Sequence, residues 1–409
     1  MSVFSGPTFR PLRHRQYALY WTGNFISNIG TWMETVALGY YVASTTGKAT
    51  WAAIIAAAGF VPTGLLSPIG GVLADRVAKK PLLLASTVVQ MLCAAVLAVL
   101  AFTGDLRPLI ATCVVFVAGC AGAMSFPAYQ SAMRDLVPPE DIPAAIGLGS
   151  AQWNLGRILG PTLAGVVIKF GGIGWALVVN TVSFMAVVAT LLLITLSPSG
   201  NEGQRGGWFT SLRDGFNFVR REPGLRVASL AMIVNTFLAA PFIGLLPAMV
   251  ENVLKREEGT VALLVTCQGV GAVIAALMLG SLTQRYGLRR MLTFNLVAVP
   301  ITVIAYGAAP GVIGKSITLV LLGASYLLAL STFSSIAQLR STNEMRGRSL
   351  AVNTTILGLL YPAGALLQGR LGDRIGLSKT PIYAGVAMLI IVGGTRLARP
   401  GMTAPLSAE

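Results

Sequence analysis

A series of apolar segments, each long enough to cross a lipid bilayer, limits the folds open to this chain of 409 residues. A hydrocarbon core of about 30 Å is spanned by about 20 residues of helix. Inside it every backbone N–H and C=O must bond within the protein, which a helix achieves segment by segment. The chain is therefore predicted to be an all-α membrane protein with twelve transmembrane helices. The segments lie near residues 17–44, 51–73, 81–103, 108–133, 143–169, 175–196, 225–250, 260–283, 290–309, 314–339, 347–370 and 381–398.

Composition and charge exclude several other classes of protein. Charged residues form 11% of the chain, whereas a soluble domain carries about a quarter. The net charge of +15 would indicate nucleic-acid binding in a soluble chain, but the basic residues form short clusters between apolar segments. No nucleic-acid partner is therefore expected. The four cysteines lie inside apolar segments without CxxC spacing, which argues against disulfides and zinc.

The distribution of basic residues predicts the membrane topology. With an even number of crossings both termini lie on one side, and 20 of the 30 Lys and Arg residues then fall on that side, against 9 on the other. Because cytoplasmic loops are enriched in Lys and Arg, both termini are expected in the cytoplasm. The basic stretch before the first segment, together with the length of that segment, predicts no cleavable signal peptide.

One long polar interruption divides the chain near its middle. Residues 197–222 are predicted to be a cytoplasmic linker between two six-helix bundles, residues 1–196 and residues 223–409. Within the linker, apolar side chains recur at helical spacing with arginines beside them, as expected for a helix lying on an anionic leaflet. These apolar residues are Trp208, Leu212, Phe216 and Val219.

Two sequence patterns occur once in each half. Gly160 and Gly165 in LGPTLAG correspond, at a constant offset, to Gly364 and Gly369 in PAGALLQG. GGVLADRVAKK, between the second and third segments, has a counterpart in LGSLTQRYGLRR, between the eighth and ninth. An internal repeat of this kind predicts two pseudo-symmetric halves, as in many secondary transporters. Chance matches between glycine-rich helices are the alternative.

Two charged residues lie at membrane depth. Of the 15 acidic residues, all but Glu34 fall in loops, at helix ends or in the tail, and Arg157 is the matching cation. At 1.5 Å per residue, Glu34 lies about 25 Å along the first helix and Arg157 about 21 Å along the fifth. A carboxylate at this depth must be neutralised, paired or hydrated. Three arrangements follow: Glu34 loads and releases a proton with Arg157 as its modulator, the two form a permanent ion pair, or they do not pair.

Polar side chains form stripes on the first and fifth helices. Such stripes on apolar helices face a protein interior or a water-filled cavity, and nearby tryptophans offer aromatic surface to an amphipathic or cationic guest. Hydrogen bonding between helices, without any ligand, is the alternative. The residues predicted to line a substrate cavity are Asn24, Asn28, Thr31, Trp32, Asn154, Asn235, Tyr326 and Asn353.

The sequence contains no motif of an enzyme or an ATPase. HExxH, a P-loop and an Asp-rich metal motif do not occur, and neither does a Ser/His/Asp set. His14, the single histidine, lies among arginines before the first helix and is assigned no function. A membrane-embedded enzyme acting on lipid would need more than Glu34. We expect no enzymatic activity, no cofactor and no metal.

The segment GGVLADRVAKK resembles the loop motif of the major facilitator superfamily, Gly-x-Leu-Ala-Asp-Arg followed by a Gly and basic residues. In that family the cluster acts as a latch favouring one of two alternating states, so the resemblance implies a cytoplasmic gate. Gly71 would permit close helix approach. Ala78 replaces the family's second Gly, and Gln284 replaces the acid in the second copy. The residues of this predicted gate are Gly71, Asp75, Arg76, Lys79 and Lys80.

The resemblance covers essentially the whole chain. The LVPPED turn, LGRILGPTLAG and EMRGR are similar to bacterial exporters of the drug-efflux and enterobactin-exporter-like branch. This implies a monomeric transporter of the bacterial cytoplasmic membrane that exports small amphipathic molecules, with protons as the coupling ion, by alternating access. A lysophospholipid or other lipid-flipping transporter and a non-transporting membrane sensor are the alternatives.

Overall fold

The computed structural model describes residues 7–196 and 208–398, so residues 197–207 of the predicted linker lie outside the described part of the chain. All regular structure in the described residues is helical, which confirms the all-α prediction. The elements are a 3₁₀ helix at Pro7–Arg13, α1 Arg15–Thr46, α2 Ala49–Arg76, α3 Lys79–Thr103, α4 Pro108–Asp135, a 3₁₀ turn at Pro139–Asp141, α5 Ile142–Gly171, α6 Ile173–Leu193, α7 Trp208–Arg221, α8 Pro223–Val234, a π turn at Asn235–Ala239, α9 Phe242–Met249, a second π turn at Val250–Leu254, α10 Glu258–Ala308, α11 Gly311–Leu339, α12 Asn343–Ile375 and α13 Lys379–Ala398.

These elements supply the twelve predicted crossings. Within the described residues, nine helical runs are long and apolar enough to span a membrane, with Pro223–Leu254 as one of them. α10 counts once although it bends at Gly287, whose φ of 72° suits glycine and divides the helix into two crossings. α1 and α5 complete the twelve.

The described residues pack as two compact units. One comprises the described residues within Met1–Leu38 and Leu65–Trp208, and the other those within Gly39–Gly64 and Phe209–Glu409. Residues 39–64, the end of α1 and the start of α2, thus pack with the second unit. The division into halves joined by a linker stays a prediction.

The internal repeat has a structural counterpart in each unit. In the first unit a Cβ added to Gly160 of α5 would lie 2.5 Å from Trp32 Cβ and 2.7 Å from Ile29 O of α1. In the second unit a Cβ added to Gly364 of α12 would lie even closer to the backbone carbonyl of Phe237, in the first π turn. The same glycine therefore allows the same close helix approach twice.

Within the second unit, the start of α2 packs antiparallel to α12. Small or aromatic residues meet at four levels, and the residue number rises along α2 as it falls along α12. This pattern is that of two antiparallel helices in contact along this stretch. The pairs are Thr50 with Asp373, Ala53 with Gly369, Phe60 with Tyr361 and Gly64 with Gly358.

The carboxylate of Asp373 lies at one end of the α2–α12 contact and bonds to the start of α2. Asp373 Oδ1 accepts a hydrogen bond from Ala49 N at 2.7 Å, and Oδ2 accepts from Thr50 N at 3.1 Å and from the Thr50 hydroxyl. The first N–H groups of a helix have no partner within it, and a negative charge there is favoured by the helix dipole. Asp373 of α12 thus caps α2.

The Gly64–Gly358 contact predicts that two glycine substitutions differ in their effect on the free energy of unfolding. A Cβ at Gly358 would clash with the backbone N and Cα of Gly64, whereas a Cβ at Gly394 of α13 meets nothing within 4 Å. Gly358→Ala is expected to lower the free energy of unfolding by about 1–3 kcal/mol through overpacking. Gly394→Ala should leave it unchanged or raise it slightly. Thermal unfolding of both purified variants in detergent measures this, and equal melting temperatures would contradict the close contact.

Candidate functional site

One face of α1 packs on α5 through hydrogen bonds and small residues. Trp21 Nε1 donates to Leu148 O at 2.9 Å, and Asn28 Nδ2 donates to Gln152 O at 3.1 Å. A Cβ at Gly156 would lie 2.8 Å from Asn28 Nδ2. Asn28, predicted to line a cavity, is thus buried in the helix contact, where its amide links α1 to α5.

Another face of α1 packs on α6 and carries Glu34, which is half-buried. Asn180 Nδ2 donates to Glu34 Oε2 at 2.7 Å, and the Ser183 hydroxyl donates to Asn180 O at 2.7 Å. Asn180 and Ser183 are buried. At Gly30, one turn before Glu34, a Cβ would lie 2.6 Å from Asn180 Oδ1. The missing side chain therefore lets α6 approach closely enough for Asn180 to reach the carboxylate.

The structure does not bring Glu34 and Arg157 together. None of the six ion pairs among the described residues joins them. Arg157 Cζ lies 5.8 Å from the ring centroid of Trp32. Trp32 and Glu34 are adjacent in depth, but two residues are about 200° of rotation around a helix. The rotation of α1 thus turns Trp32 towards α5 and Glu34 towards α6.

An aromatic cluster lies where α1 meets α5. Trp32 and Trp153 pack edge to face with ring centroids 5.8 Å apart, and Trp153 is 50% exposed. Trp32 Nε1 is buried without a hydrogen-bond partner among the described residues. The cluster can therefore offer an aromatic surface and an indole donor beside the guanidinium of Arg157.

Polar side chains of both helices flank this cluster. On an ideal helical wheel, Asn24 and Thr31 of α1 and Ser150 and Arg157 of α5 fall on the same side of the α1–α5 contact. Asn24 Nδ2 donates to Tyr20 O at 2.8 Å and the Thr31 hydroxyl to Ser27 O at 3.0 Å, both within α1. We call this side, with Trp32 and Trp153, the α1–α5 groove. The side chain of Asn154 lies outside the described residues.

The second-unit candidates lie near the first π turn and on α11 and α12. Asn235 is buried, and its Nδ2 has no hydrogen-bond partner among the described residues. Tyr326 is buried edge to face against Phe242, with ring centroids 5.8 Å apart. Asn353 is half-buried. These three residues thus lie on three separate elements.

The π turn is supported by a residue that the sequence reasoning missed. Gln368 of α12 is buried, and its Nε2 donates to Leu238 O at 2.8 Å and Phe237 O at 3.4 Å. A π turn leaves backbone carbonyls without their usual partners, and such turns are frequent at functional sites. In the sequence, Gln368 could have been recognised as the single amide in the apolar segment PAGALLQG.

The predicted gate residues anchor the start of α3. Lys79 Nζ lies 2.5 Å from Asp135 Oδ2 at the end of α4. Lys80 Nζ donates to Leu192 O at 3.1 Å and Ile194 O at 2.8 Å, at the end of α6. A cation there offsets the negative end of the α6 dipole. Both lysines thus tie neighbouring helix ends together.

The close approach expected at Gly71 occurs instead at Gly70. A Cβ at Gly70 would lie 2.8 Å from the Met124 Cα of α4, whereas a Cβ at Gly71 meets nothing within 4 Å. One residue is about 100° of helix rotation, which turns Gly71 away from α4. Arg76 is exposed, and the side chain of Asp75 lies outside the described residues.

A polar clamp at the N-terminus was also missed. Asp141, before α5, is 2% exposed and lies 3.1 Å from Arg10 Nε and 2.8 Å from His14 Nε2. The Tyr17 hydroxyl donates to Ala145 O at 2.8 Å. His14, which had no assigned function, thus helps to hold the N-terminal segment against α5. In the sequence, the PPED turn could have pointed to Asp141 as a residue that holds the start of α5.

Comparison with known proteins identifies a family. The family model described as transmembrane secretion effector matches residues 6–403. Macrolide efflux protein A of Streptococcus pyogenes is 20% identical over 91% of this chain and 93% of its own length. The staphyloferrin A transporter of Staphylococcus aureus is 23% identical over 91% and 93%. The multidrug efflux pump Tap of Mycolicibacterium fortuitum is 25% identical over 88% and 90%.

Solved structures agree on the fold. A POT family transporter matches with a TM-score of 0.77 and 13% identity, covering 95% of this chain and 97% of that one. The nucleoside transporter NupG matches with a TM-score of 0.74 and 11% identity, covering 96% and 100%. At this identity the likeness concerns the fold alone. It confirms the predicted fold.

The contact between Glu34 and Asn180 can be tested by a double-mutant cycle. Glu34→Leu and Asn180→Leu are expected to show a coupling free energy of about 1–2 kcal/mol, because each single change leaves a buried polar group unpaired. Asn180→Leu with Thr31→Val is the control, since the Thr31 hydroxyl bonds within its own helix. Denaturant unfolding in detergent measures both cycles. Equal coupling in the two cycles would argue against the Glu34–Asn180 bond.

Proposed function

The chain belongs to the transmembrane secretion effector family of the major facilitator superfamily, and on that premise we propose that it is a proton-coupled exporter of small amphipathic molecules. It is a multi-pass membrane transporter rather than an enzyme. We place it, as a monomer, in the bacterial cytoplasmic membrane with both termini inside. The excess of Lys and Arg on one side of the predicted topology supports this placement.

The proposed substrate class combines apolar and polar groups. The relatives are named for a macrolide, for staphyloferrin A and for several drugs. The α1–α5 groove presents the half-exposed Trp153 beside Arg157. Pockets of this kind bind an apolar body and orient it through a few polar groups. We assign the same role to Asn24, Thr31, Trp32 and Asn154, with Asn28 shaping the groove by joining its two helices. Asn235, Tyr326 and Asn353 stay predicted cavity residues of the second unit.

Glu34 is the residue that carries the proposed proton coupling. It lies in the middle of α1, and its carboxylate accepts a hydrogen bond from the buried Asn180. An amide can donate to a carboxylate and, when turned over, accept from a carboxylic acid. Asn180 can therefore satisfy Glu34 in both protonation states, so that a proton can be loaded and released without leaving a buried group unpaired.

We propose that Arg157 modulates the protonation of Glu34 without forming a direct ion pair. Its charge acts across the helix packing, where the interaction weakens with distance. Its guanidinium meanwhile faces the ring of Trp32. A change of guest at the groove can thus alter the electrostatic surroundings of both residues.

The gate proposal concerns the start of α3. Lys79 and Lys80 join α3 to the ends of α4 and α6. We propose that these contacts, with Gly71, Asp75 and Arg76, hold the cytoplasmic end of the first bundle together while its surroundings change between the two states.

The coupling role predicts the behaviour of a Glu34→Gln variant. In proteoliposomes with an imposed pH gradient, this variant is expected to lose gradient-driven transport but to keep substrate exchange without a gradient, because glutamine still accepts from Asn180. Thr35→Val is the matched control, since Thr35 is exposed and its hydroxyl bonds to Thr31 O. Test substrates are a macrolide, a polycarboxylate siderophore and a lysophospholipid. Gradient-driven transport by Glu34→Gln at the wild-type rate would remove Glu34 from the mechanism.

The α1–α5 groove predicts that two half-exposed tryptophans contribute differently to substrate binding. Trp153 is 50% exposed and Trp175 is 52% exposed, and each packs edge to face on another ring at 5.8 Å. Trp153→Ala is expected to weaken substrate binding by about threefold to tenfold through lost aromatic contact. Trp175→Ala, at the start of α6, should not. Equilibrium binding of the best transported test substrate compares them, and equal effects would place the groove elsewhere.

A further inference from the structure

The inner face of α7 packs on the start of α12. Val219 is buried and Leu212 half-buried. Gly215 is also buried, and a Cβ there would lie 2.8 Å from Arg348 O. α7, from Phe209 onwards, is therefore part of the second unit and is attached to its helices.

Two acids of this region, Asp214 in α7 and Glu222 directly after it, are engaged by the protein. Asp214 lies 3.2 Å from Arg348 Nη1. Glu222 lies 3.5 Å from Arg340 Nη1 and accepts a hydrogen bond from Leu225 N at the start of α8. These two carboxylates thus pair with Arg340, directly after α11, and with Arg348 of α12 rather than with the arginines of α7.

The outward side of α7 carries arginines around an exposed aromatic ring. Arg213 and Arg220 are exposed, and Phe216, one turn from each, is 59% exposed. Offsets of three and four residues place these side chains within about 60° of one another. Arg221 is exposed nearby, and Asn217 between the arginines is neutral. This side is therefore cationic, with one apolar group at its edge.

The predicted amphipathic stripe is divided in the structure. Val219 faces the protein, Leu212 is shared, and Phe216 alone of the described members is exposed. The side chain of Trp208 lies outside the described residues. Any contact of α7 with its surroundings is therefore made by Phe216 and the arginines beside it.

We propose that Arg213, Phe216 and Arg220 form a binding site for the head group of an anionic phospholipid. Guanidinium groups bind phosphate oxygens through paired hydrogen bonds. Basic clusters next to transmembrane helices attract anionic lipids, and aromatic rings favour the interface between head groups and acyl chains. The exposed Phe216 favours a lipid over a soluble phosphate. The proposal does not depend on the transported substrate.

The test uses the full chain purified in a neutral detergent. Binding of short-chain phosphatidylglycerol and phosphatidylcholine is measured by native mass spectrometry. The wild type is expected to prefer phosphatidylglycerol. Arg213→Gln/Arg220→Gln should weaken its binding by about 30-fold, since each arginine near an anionic surface contributes about 1 kcal/mol and 1.4 kcal/mol is tenfold.

Matched variants separate this site from general charge. Arg289→Gln/Arg290→Gln removes the same charge from two other exposed arginines and should leave the affinity within about twofold of the wild type. Phe216→Ser should weaken phosphatidylglycerol binding without changing the binding of glycerol phosphate. Unchanged melting temperatures show that each variant is folded.

Several outcomes would overturn the proposal. Equal losses in the two double variants would indicate a general charge effect. Glycerol phosphate binding as tightly as the lipid, with no effect of Phe216→Ser, would indicate a site for soluble anions. Binding of a polyglutamate peptide that is lost in Arg213→Gln/Arg220→Gln, without lipid preference, would indicate an acidic protein partner instead.

Discussion

Close helix contact at glycine is the interaction on which both units depend. A protein in lipid gains little by moving apolar side chains from acyl chains to a helix interface, so dense packing and interhelical hydrogen bonds must hold the helices together. α1 meets α5 at Gly160 and α6 at Gly30, and α12 meets α2 at Gly358. Each contact brings backbones close enough for a neighbouring polar group to find a partner across the interface.

The two faces of α1 give its polar residues different surroundings. Glu34 meets an amide of α6, whereas Trp32 meets Arg157 of α5. An acid that changes its protonation state and a surface that binds a guest can then lie on one rigid helix without neutralising each other. A direct ion pair would instead have held both charges permanently. The separation is what makes the proposed coupling physically possible.

Much of the fold could be predicted from the sequence, because span length and hydropathy are local properties. The twelve crossings and the break of α10 near Gly287 follow from the order of apolar and polar residues along the chain. The partner of Glu34 could not be predicted, because the sequence gives the depth of a residue along its helix but not the direction in which the helix is rotated. For the same reason the close helix approach was predicted at Gly71 but lies at Gly70. Asp141 was missed because its partners, Arg10 and His14, are far away in sequence.

The sequence by itself determined that lipid is the solvent of this chain and that it crosses the membrane twelve times, and it predicts that Glu34 and Arg157 lie at membrane depth. These properties depend only on the order of apolar and polar residues. The tertiary structure decided which neighbour each polar side chain meets: Asn180 for Glu34, Trp32 for Arg157, Arg348 for Asp214. A partner depends on how far each helix is rotated against the next, and that rotation is set by the packing of all the helices together.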